Sequence, residues 1–219
     1  MPGKIELDNK ETGKRLFVVS APSGAGKTTL CQGLLARHGN KIKVSISCTT
    51  RKLRGDEQHG IEYYFLKEEE FFKRRADGDF LEWAQVHGNY YATSRSHVEK
   101  LVSDGYRVLF DVDVQGAEKI KEAYPEATLI FIISPSRKEL ERRLRERKTD
   151  DALEIKKRLS NSLGEMVCAR NYDFIVVNDD VEKATDSLED IVFNAEKPDR
   201  SYGMKRLEEI ISEYDDFED

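Results

Sequence analysis

The sequence predicts an α/β fold, a parallel β-sheet wrapped by helices, and three observations carry that reading. The apolar run Leu16-Phe17-Val18-Val19 passes into a small-residue turn and then into a helix opening on Gly26-Lys27-Thr28. Apolar strand-like runs alternate with helical patterns through most of the chain, as strands joined by crossover helices require. Leu129–Ile133 is apolar throughout, as a parallel strand covered on both faces should be.

The elements follow in order. Leu16–Ser20 reads as the first strand. A helix from Lys27 to about Arg37 sets Leu30, Leu34 and Leu35 on one side, with Gly39 as its stop. Val108-Leu109-Phe110 reads as a strand, and Gly116–Ala123 as a helix ended by Pro125. After Leu129–Ile133, Ser136-x-x-Glu139 forms a capping box for a strongly basic helix, and a second helix covers roughly Asp151–Val167. Strand Phe174–Val177 leads to a helix around Glu182–Ala195, with Leu188, Ile191, Val192 and Ala195 at helical spacing and Pro198 beyond it. Two segments break this rhythm. Residues 43–95, rich in Tyr, Phe, Thr and Gly, read as a small insertion with short strands. Residues 136–160 carry Arg137, Arg142, Arg143, Arg145, Arg147 and Arg158, an arginine-rich flap expected to move.

A chain of 219 residues suits one domain with insertions. The balance of 38% hydrophobic and 36% charged residues is that of a polar globular enzyme, and a net charge of −6 argues against non-specific nucleic-acid binding. The three cysteines, Cys31, Cys48 and Cys168, lack zinc spacing and fit reduced thiols. His38, His59, His87 and His97 show no metal spacing either. No apolar leader or membrane-length stretch is present, so a cytoplasmic protein without membrane contact is expected. Residues 1–14 are polar and expected to be loose, and Glu213–Asp219 is expected to be a solvated, frayed tail.

The chemistry begins at Ser20–Thr29. Ala21, Pro22, Ser23, Gly24, Ala25, Gly26, Lys27, Thr28 and Thr29 form a loop suited to a nucleoside triphosphate. Gly24 and Gly26 let the backbone curl so that successive N–H groups face phosphate oxygens. The helix that follows contributes the positive end of its dipole. Lys27 can reach the β- and γ-phosphates, and the Thr28 hydroxyl can ligate Mg²⁺. Ala21 stands where the strict motif has its first glycine. A phosphate loop, an insertion and an arginine flap together suit phosphoryl transfer between nucleotides, in which two substrates are aligned, water is excluded and moving charge is neutralised.

The insertion reads Ser47-Cys48-Thr49-Thr50-Arg51-Lys52-Leu53-Arg54-Gly55-Asp56-Glu57, then Gly60-Ile61-Glu62-Tyr63-Tyr64-Phe65, Phe80-Leu81-Glu82-Trp83-Ala84 and Gly88-Asn89-Tyr90-Tyr91-Ala92-Thr93-Ser94, and Asp111-Val112-Asp113-Val114-Gln115-Gly116 follows it. With the phosphate loop, these strings resemble the guanylate kinase family from about Arg15 to Lys197. The resemblance implies a P-loop NTPase-type core (15–42, 96–135 and 161–198), a mixed α/β GMP-binding insertion (43–95) and a helical lid (136–160). Together these make a kinase domain over 15–198, between a flexible segment at 1–14 and an acidic helix or tail at 199–219. It implies ATP and GMP as substrates, Mg²⁺ as cofactor, no nucleic-acid partner, and a monomer or weak homodimer.

The resemblance also implies roles. Arg51 and Arg54, with the phenols of Tyr63 and Tyr91, would grip the GMP phosphate; Ser47, Glu82 and Thr93 would read guanine. Asp111 would orient Mg²⁺ and its waters together with Thr28, and Asp113 would reach the GMP site. Lys27, Arg143, Arg147 and Arg158 would carry the catalytic charge, and Asn178 falls near the adenine. Ala92 stands where glycine is common, placing a methyl near the GMP phosphate, and Lys148 would stiffen the flap hinge.

Read alone, several of these residues have plainer explanations. Glu82 could be a surface carboxylate, and Arg51 and Arg54 a solvated face. Tyr64 and Tyr90 are expected to be core aromatics, and Arg142 and Arg145 a solvated helix face. Two other functions stay open on the sequence. One is a binding module on the same fold, against which Lys27, Thr28, Asp111 and the flap arginines speak. The other is a kinase for a different small molecule, against which Ser47–Arg54 and Glu82 speak.

Overall fold

The computed structural model describes residues 12–86, 88–146, 152–194 and 199–215. In chain order the first elements are β1 (Leu16–Ser20), α1 (Lys27–His38), β2 (Ile42–Val44), β3 (Cys48–Thr49), β4 (Tyr64–Phe65) and α2 (Glu68–Ala76). Next come β5 (Phe80–Val86), β6 (Asn89–Ser94), α3 (Arg95–Ser103), β7 (Arg107–Asp111), α4 (Val114–Ala123) and β8 (Thr128–Ile133). The last are α5 (Arg137–Glu146), α6 (Ala152–Cys168), a 3₁₀ turn (Ala169–Asn171), β9 (Phe174–Val177), α7 (Val181–Phe193) and α8 (Ser201–Asp215). They group into two compact units. One spans residues up to 16 with 40–110 and 115–127; the other spans 17–39, 111–114 and 128 onward.

In the second unit, β8 pairs in parallel with β1 (Val18↔Leu129) and with β9 (Ile130↔Phe174). Every residue of β1 and of β8 is buried, so neither strand alternates in polarity, as both-face burial demands. The helices lie against these strands. α1 and α7 pack closely enough that a Cβ on Gly33 would come 3.2 Å from Thr185. Gly203 lets α8 approach β9, since a Cβ there would sit 2.3 Å from the Ile175 carbonyl. α5 and α6 share their own small apolar core of Leu140, Leu144, Ile155 and Leu159. Ser136 Oγ accepts the Glu139 N–H at 3.1 Å, so the expected cap starts α5. The acid half of the box is diverted: Glu139 takes Arg142 and Arg143 instead.

The end of the chain corrects one expectation. Glu213, Tyr214 and Asp215 do not fray; they close α8. Leu207, Ile210, Ile211 and Tyr214 form its buried stripe. The Tyr214 hydroxyl meets Ser162 Oγ at 2.7 Å, and Glu213 accepts the Arg137 N–H at 2.8 Å, capping α5 from outside. Apolar burial at helical spacing outweighs the local acidity. Residues 216–219 lie outside the described residues.

In the first unit, β2 and β7 pair in parallel (Val44↔Leu109), and a separate four-stranded sheet runs β4-β3-β6-β5. One face of that sheet covers a core of Cys48, Leu66, Phe71 and Ala92, with Tyr64, Phe80, Trp83 and Tyr90 packed on it. Tyr64 and Tyr90 are thus core aromatics, as expected. Ala92 is the correction here. Its neighbours Tyr91 and Thr93 point to the opposite face by strand alternation, so the Ala92 methyl is core and not phosphate-facing.

Among the described residues no helix is long and apolar enough to cross a membrane. Cys31 and Cys48 are buried free thiols, pushed up by burial to about 12 and about 11 respectively.

Candidate active site

The phosphate loop is built from the end of a fully buried strand. After Ser20 the chain turns, the Ala25 N–H donates to the Pro22 carbonyl at 3.1 Å, and Gly24 and Gly26 adopt φ of +93° and +96°. These left-handed conformations are glycine's province. Gly26 is also spatially required, because a Cβ there would lie 2.2 Å from Asn178 Nδ2. Asn178 is the brace on this loop. It is buried, its N–H donates to Ile133 O at 2.8 Å, and its Nδ2 donates to Ala25 O at 2.7 Å. Its Oδ1 is buried without a hydrogen-bond partner.

Lys27 crosses from the loop to the turn after β7. Its Nζ lies 2.5 Å from Asp111 Oδ1 and donates to the Val112 carbonyl at 3.2 Å. That turn is fixed in place by the Val112 N–H on Val19 O (3.4 Å) and by Ser20 Oγ on Asp113 O (3.4 Å). The expected lysine, magnesium aspartate and neighbouring Asp113 therefore meet within one unit.

Of the expected lid arginines, one rests on the loop and one on its brace, Asn178. Arg143, held by Glu139 through Nε at 2.7 Å, donates from Nη2 to the Asn178 carbonyl at 3.0 Å. Arg158 donates from Nη1 to Ser23 Oγ at 2.9 Å. Arg147 and Lys148 lie outside the described residues, as does His87. Arg142 and Arg145 pair on the exposed face with Glu139, Glu146 and Glu141, as expected of a solvated face.

Two cavities share Gly24, Gly26 and Thr29. One, of about 310 Å³, is lined by Ser23, Lys27, Thr28 and Glu165 among others. The other, of about 420 Å³, is lined by Arg143, Glu146, Asn178 and Val181. Glu165 was not found from the sequence. Burial raises its carboxyl above the ordinary range, Lys27 opposes that rise, and Asp113 adds to it. The available signal was its position seven residues after Arg158, on the same face of α6.

In the first unit, strand register brings together several of the residues expected to bind the acceptor. Glu82 opposes Thr93 across β5 and β6, and Thr93 Oγ1 donates to Glu82 Oε1 at 2.7 Å. Thr49 opposes Tyr91 across β3 and β6. Tyr91 stacks edge-on with Tyr63 at 5.9 Å. The Arg51 guanidinium lies over the Tyr63 ring at 5.3 Å and over Phe65 at 5.7 Å. Thus Arg51, Tyr63 and Tyr91 gather in one place, and Glu82 and Thr93 in another on the same sheet. Arg54 is exposed, with its N–H on Glu57 Oε2 at 2.9 Å. Ser47 precedes β3, and its carbonyl accepts the Tyr64 N–H at 2.9 Å. Sequence reasoning also missed Glu57, whose carboxylate forks onto Arg51 at 2.7 and 2.9 Å.

A loop this tightly specified has a testable fragility. Gly26→Ala should lower the unfolding free energy by more than about 1 kcal/mol, through positive-φ strain and the Asn178 clash together. In urea unfolding, the loss should shrink in an Asn178→Ala background, where the clash is gone and only the strain remains. An equal loss in both backgrounds would remove Asn178 from the account.

Comparison with known proteins agrees with this geometry. The guanylate kinase family model matches residues 13–195. A guanylate kinase of Fusobacterium nucleatum is 46% identical over 182 residues, covering 83% of this chain and 97% of that protein. One of Desulfotalea psychrophila is 47% identical over 180 residues, covering 82% and 88%. The crystal structure of guanylate kinase from Anaplasma phagocytophilum superposes with a TM-score of 0.62 at 33% identity, covering 89% of this chain and 93% of that one. With a braced phosphate loop, a paired lysine and aspartate, and a family match over most of its length, the chain belongs to the guanylate kinase family.

Proposed function

We propose that this chain transfers the γ-phosphoryl of ATP to GMP, giving ADP and GDP. Within the family, the observation that carries the acceptor assignment is the Glu82–Thr93 pair, a half-buried carboxylate held on a sheet face by a hydroxyl. Guanine presents N1–H and an N2 amino group side by side, and one carboxylate accepts both. Adenine presents a bare N1 lone pair there, so Glu82 would lose a bond and face repulsion. Ser47 reads the base together with Glu82 and Thr93. Arg51 and Arg54, with the Tyr63 and Tyr91 hydroxyls, take its phosphate, since guanidinium forks match a phosphate dianion.

The donor phosphates lie along Ala21–Thr29, where inward N–H groups, the start of α1 and Lys27 stabilise charge as it develops. Lys27 exchanges Asp111 for phosphate oxygens as ATP enters. The 420 Å³ cavity suits the donor base, with the partnerless Asn178 Oδ1 as an acceptor for an exocyclic amine. The donor set fits Mg²⁺ carried in with the phosphates: a Thr28 hydroxyl lining the loop cavity, and an Asp111 carboxylate held by the neighbouring Lys27. Among the described residues no group of three His, Cys, Asp or Glu side chains could hold a metal alone, so Thr28 and Asp111 would hold the ion partly through its waters. When bound, it supplies positive charge at the transferring phosphoryl. Segments 43–95 and 136–160 act as acceptor insertion and lid. Closure brings Arg143, Arg147 and Arg158 onto the phosphoryl and excludes water. Buried free thiols at Cys31 and Cys48 support a reducing, cytoplasmic setting.

A coupled ADP-release assay with GMP, AMP, CMP and UMP, each at saturating Mg·ATP, tests the assignment. GMP should exceed AMP in kcat/KM by roughly 10⁴-fold, because a site built to bond a missing partner discriminates strongly. Comparable values for AMP would refute the role given to Glu82. Arg54→Ala and Arg51→Ala should each weaken GMP binding by about ten- to a hundredfold, the worth of a charge-assisted contact of roughly 1.5–3 kcal/mol, and leave ATP binding nearly unchanged. Equal losses for both nucleotides in calorimetric titrations would contradict the acceptor assignment.

A further inference from the structure

Arg51 offers five N–H donors in a rigid plane. Its Nη1 spends both hydrogens, one on the Lys52 carbonyl at 2.8 Å and one on Glu57 Oε2 at 2.9 Å. Its Nη2 spends one on Glu57 Oε1 at 2.7 Å. Glu57 therefore takes the end-on edge of the guanidinium. The side-on edge, made of Nε–H and the second Nη2 hydrogen, is the one that none of these three bonds uses. Tyr91, edge-on to Tyr63 at 5.9 Å, adds to the electrostatic hold on this guanidinium. The rings of Tyr63 and Phe65 lie 5.3 and 5.7 Å from it. The side chain is only 10% exposed, so it has little freedom to turn a different edge outward.

Glu57 is itself fixed by local chain geometry. Gly55 adopts φ of +51°, which folds the loop back so that the Glu57 N–H donates to the Arg54 carbonyl at 3.1 Å. The same turn lets Glu57 Oε2 accept the Arg54 N–H at 2.9 Å. The carboxylate thus holds both arginines, one by its side chain and one by its backbone. A counter-ion this well anchored is not a placeholder for an incoming phosphate to displace. It leaves the side-on edge of Arg51 outside the three bonds that hold the residue.

We infer that Glu57 is a positioning residue for the acceptor phosphate, holding the end-on edge of Arg51 so that its side-on edge and the Tyr91 hydroxyl receive a phosphomonoester. The inference rests on the reading of this chain as a GMP kinase. It adds that phosphate affinity depends on a carboxylate that never touches the substrate. Misplacing a donor by a fraction of an ångström is costly at such a site.

The test compares wild type, Glu57→Ala and Glu57→Gln, first confirming that each unfolds cooperatively. GMP and guanosine are titrated calorimetrically, and kcat and the two KM values are measured with Mg·ATP. Glu57→Ala should weaken GMP by about tenfold or more, raise the GMP KM in step, and leave guanosine affinity, the ATP KM and kcat within about twofold. Glu57→Gln keeps one accepting oxygen on Arg51 and should fall between. Unchanged or tighter GMP binding in either variant would overturn the inference, because Glu57 would then be idle or a competitor. Equal losses for guanosine and GMP would overturn it too, by marking a general structural role. A wild type that binds GMP and guanosine but phosphorylates neither GMP nor its analogues would defeat the kinase reading alone, and one that does not bind GMP would defeat both.

Discussion

Everything around the phosphate loop depends on one concave stretch of backbone, Ser23–Thr28, being held open against its own preference. Gly24 and Gly26 make the curl sterically accessible, but accessibility alone does not fix it. Asn178 fixes it, by tying the Ala25 carbonyl to the end of a buried parallel sheet through Ile133. The rest is then hung on that frame. Lys27 reaches Asp111 and Val112 because the turn after β7 is pinned to Val19 and Ser20. Arg143 and Arg158 lean on the loop through Asn178 and Ser23. The strands that carry these contacts are buried on both faces, so their positions are set by packing and not by the loop.

The first unit solves a different problem with the simplest rule of a β-sheet, that successive side chains face opposite ways. Ala92, Trp83 and Tyr90 turn to the core while Tyr91, Thr93 and Glu82 turn away, so one pair of strands makes both a core and a polar surface. Two cations of the candidate sites are paired in this structure. Arg51 is matched by Glu57, and Lys27, in the other unit, by Asp111. Each pair holds a cation in place without a substrate, and neither contributes much to stability on its own, since these carboxylates are partly solvated.

Much of this was legible in the sequence, for identifiable reasons. β1 and β8 could be read because burial on both faces leaves an unbroken apolar run. α1 could be read because Gly-Lys-Thr has few other uses after such a strand. The family could be read through the combined strings of residues 47–65 and 80–94, whereas Arg51 or Glu82 alone is indistinguishable from a surface charge. What escaped was tertiary. Asn178 was placed near the donor base, but its clamp on Ala25 joins residues 153 apart. Glu165 is one carboxylate among many on a charged helix, and only its burial beside Lys27 sets it apart. The stripe Leu207, Ile210, Ile211 and Tyr214 has helical spacing, yet the acid run Glu213–Asp219 drew attention to charge instead. Ala92 was judged by its neighbours in sequence, when strand alternation puts it on the other side.

The most direct test of the central claim is the turnover of Lys27→Met with saturating Mg·ATP and GMP, measured beside its thermal unfolding. Lys27 is partly exposed and its partner Asp111 is 39% exposed, so stability should change by no more than about 1 kcal/mol. Turnover should fall by orders of magnitude while the melting transition stays near that of wild type. Near-normal turnover in a folded Lys27→Met protein would contradict the account.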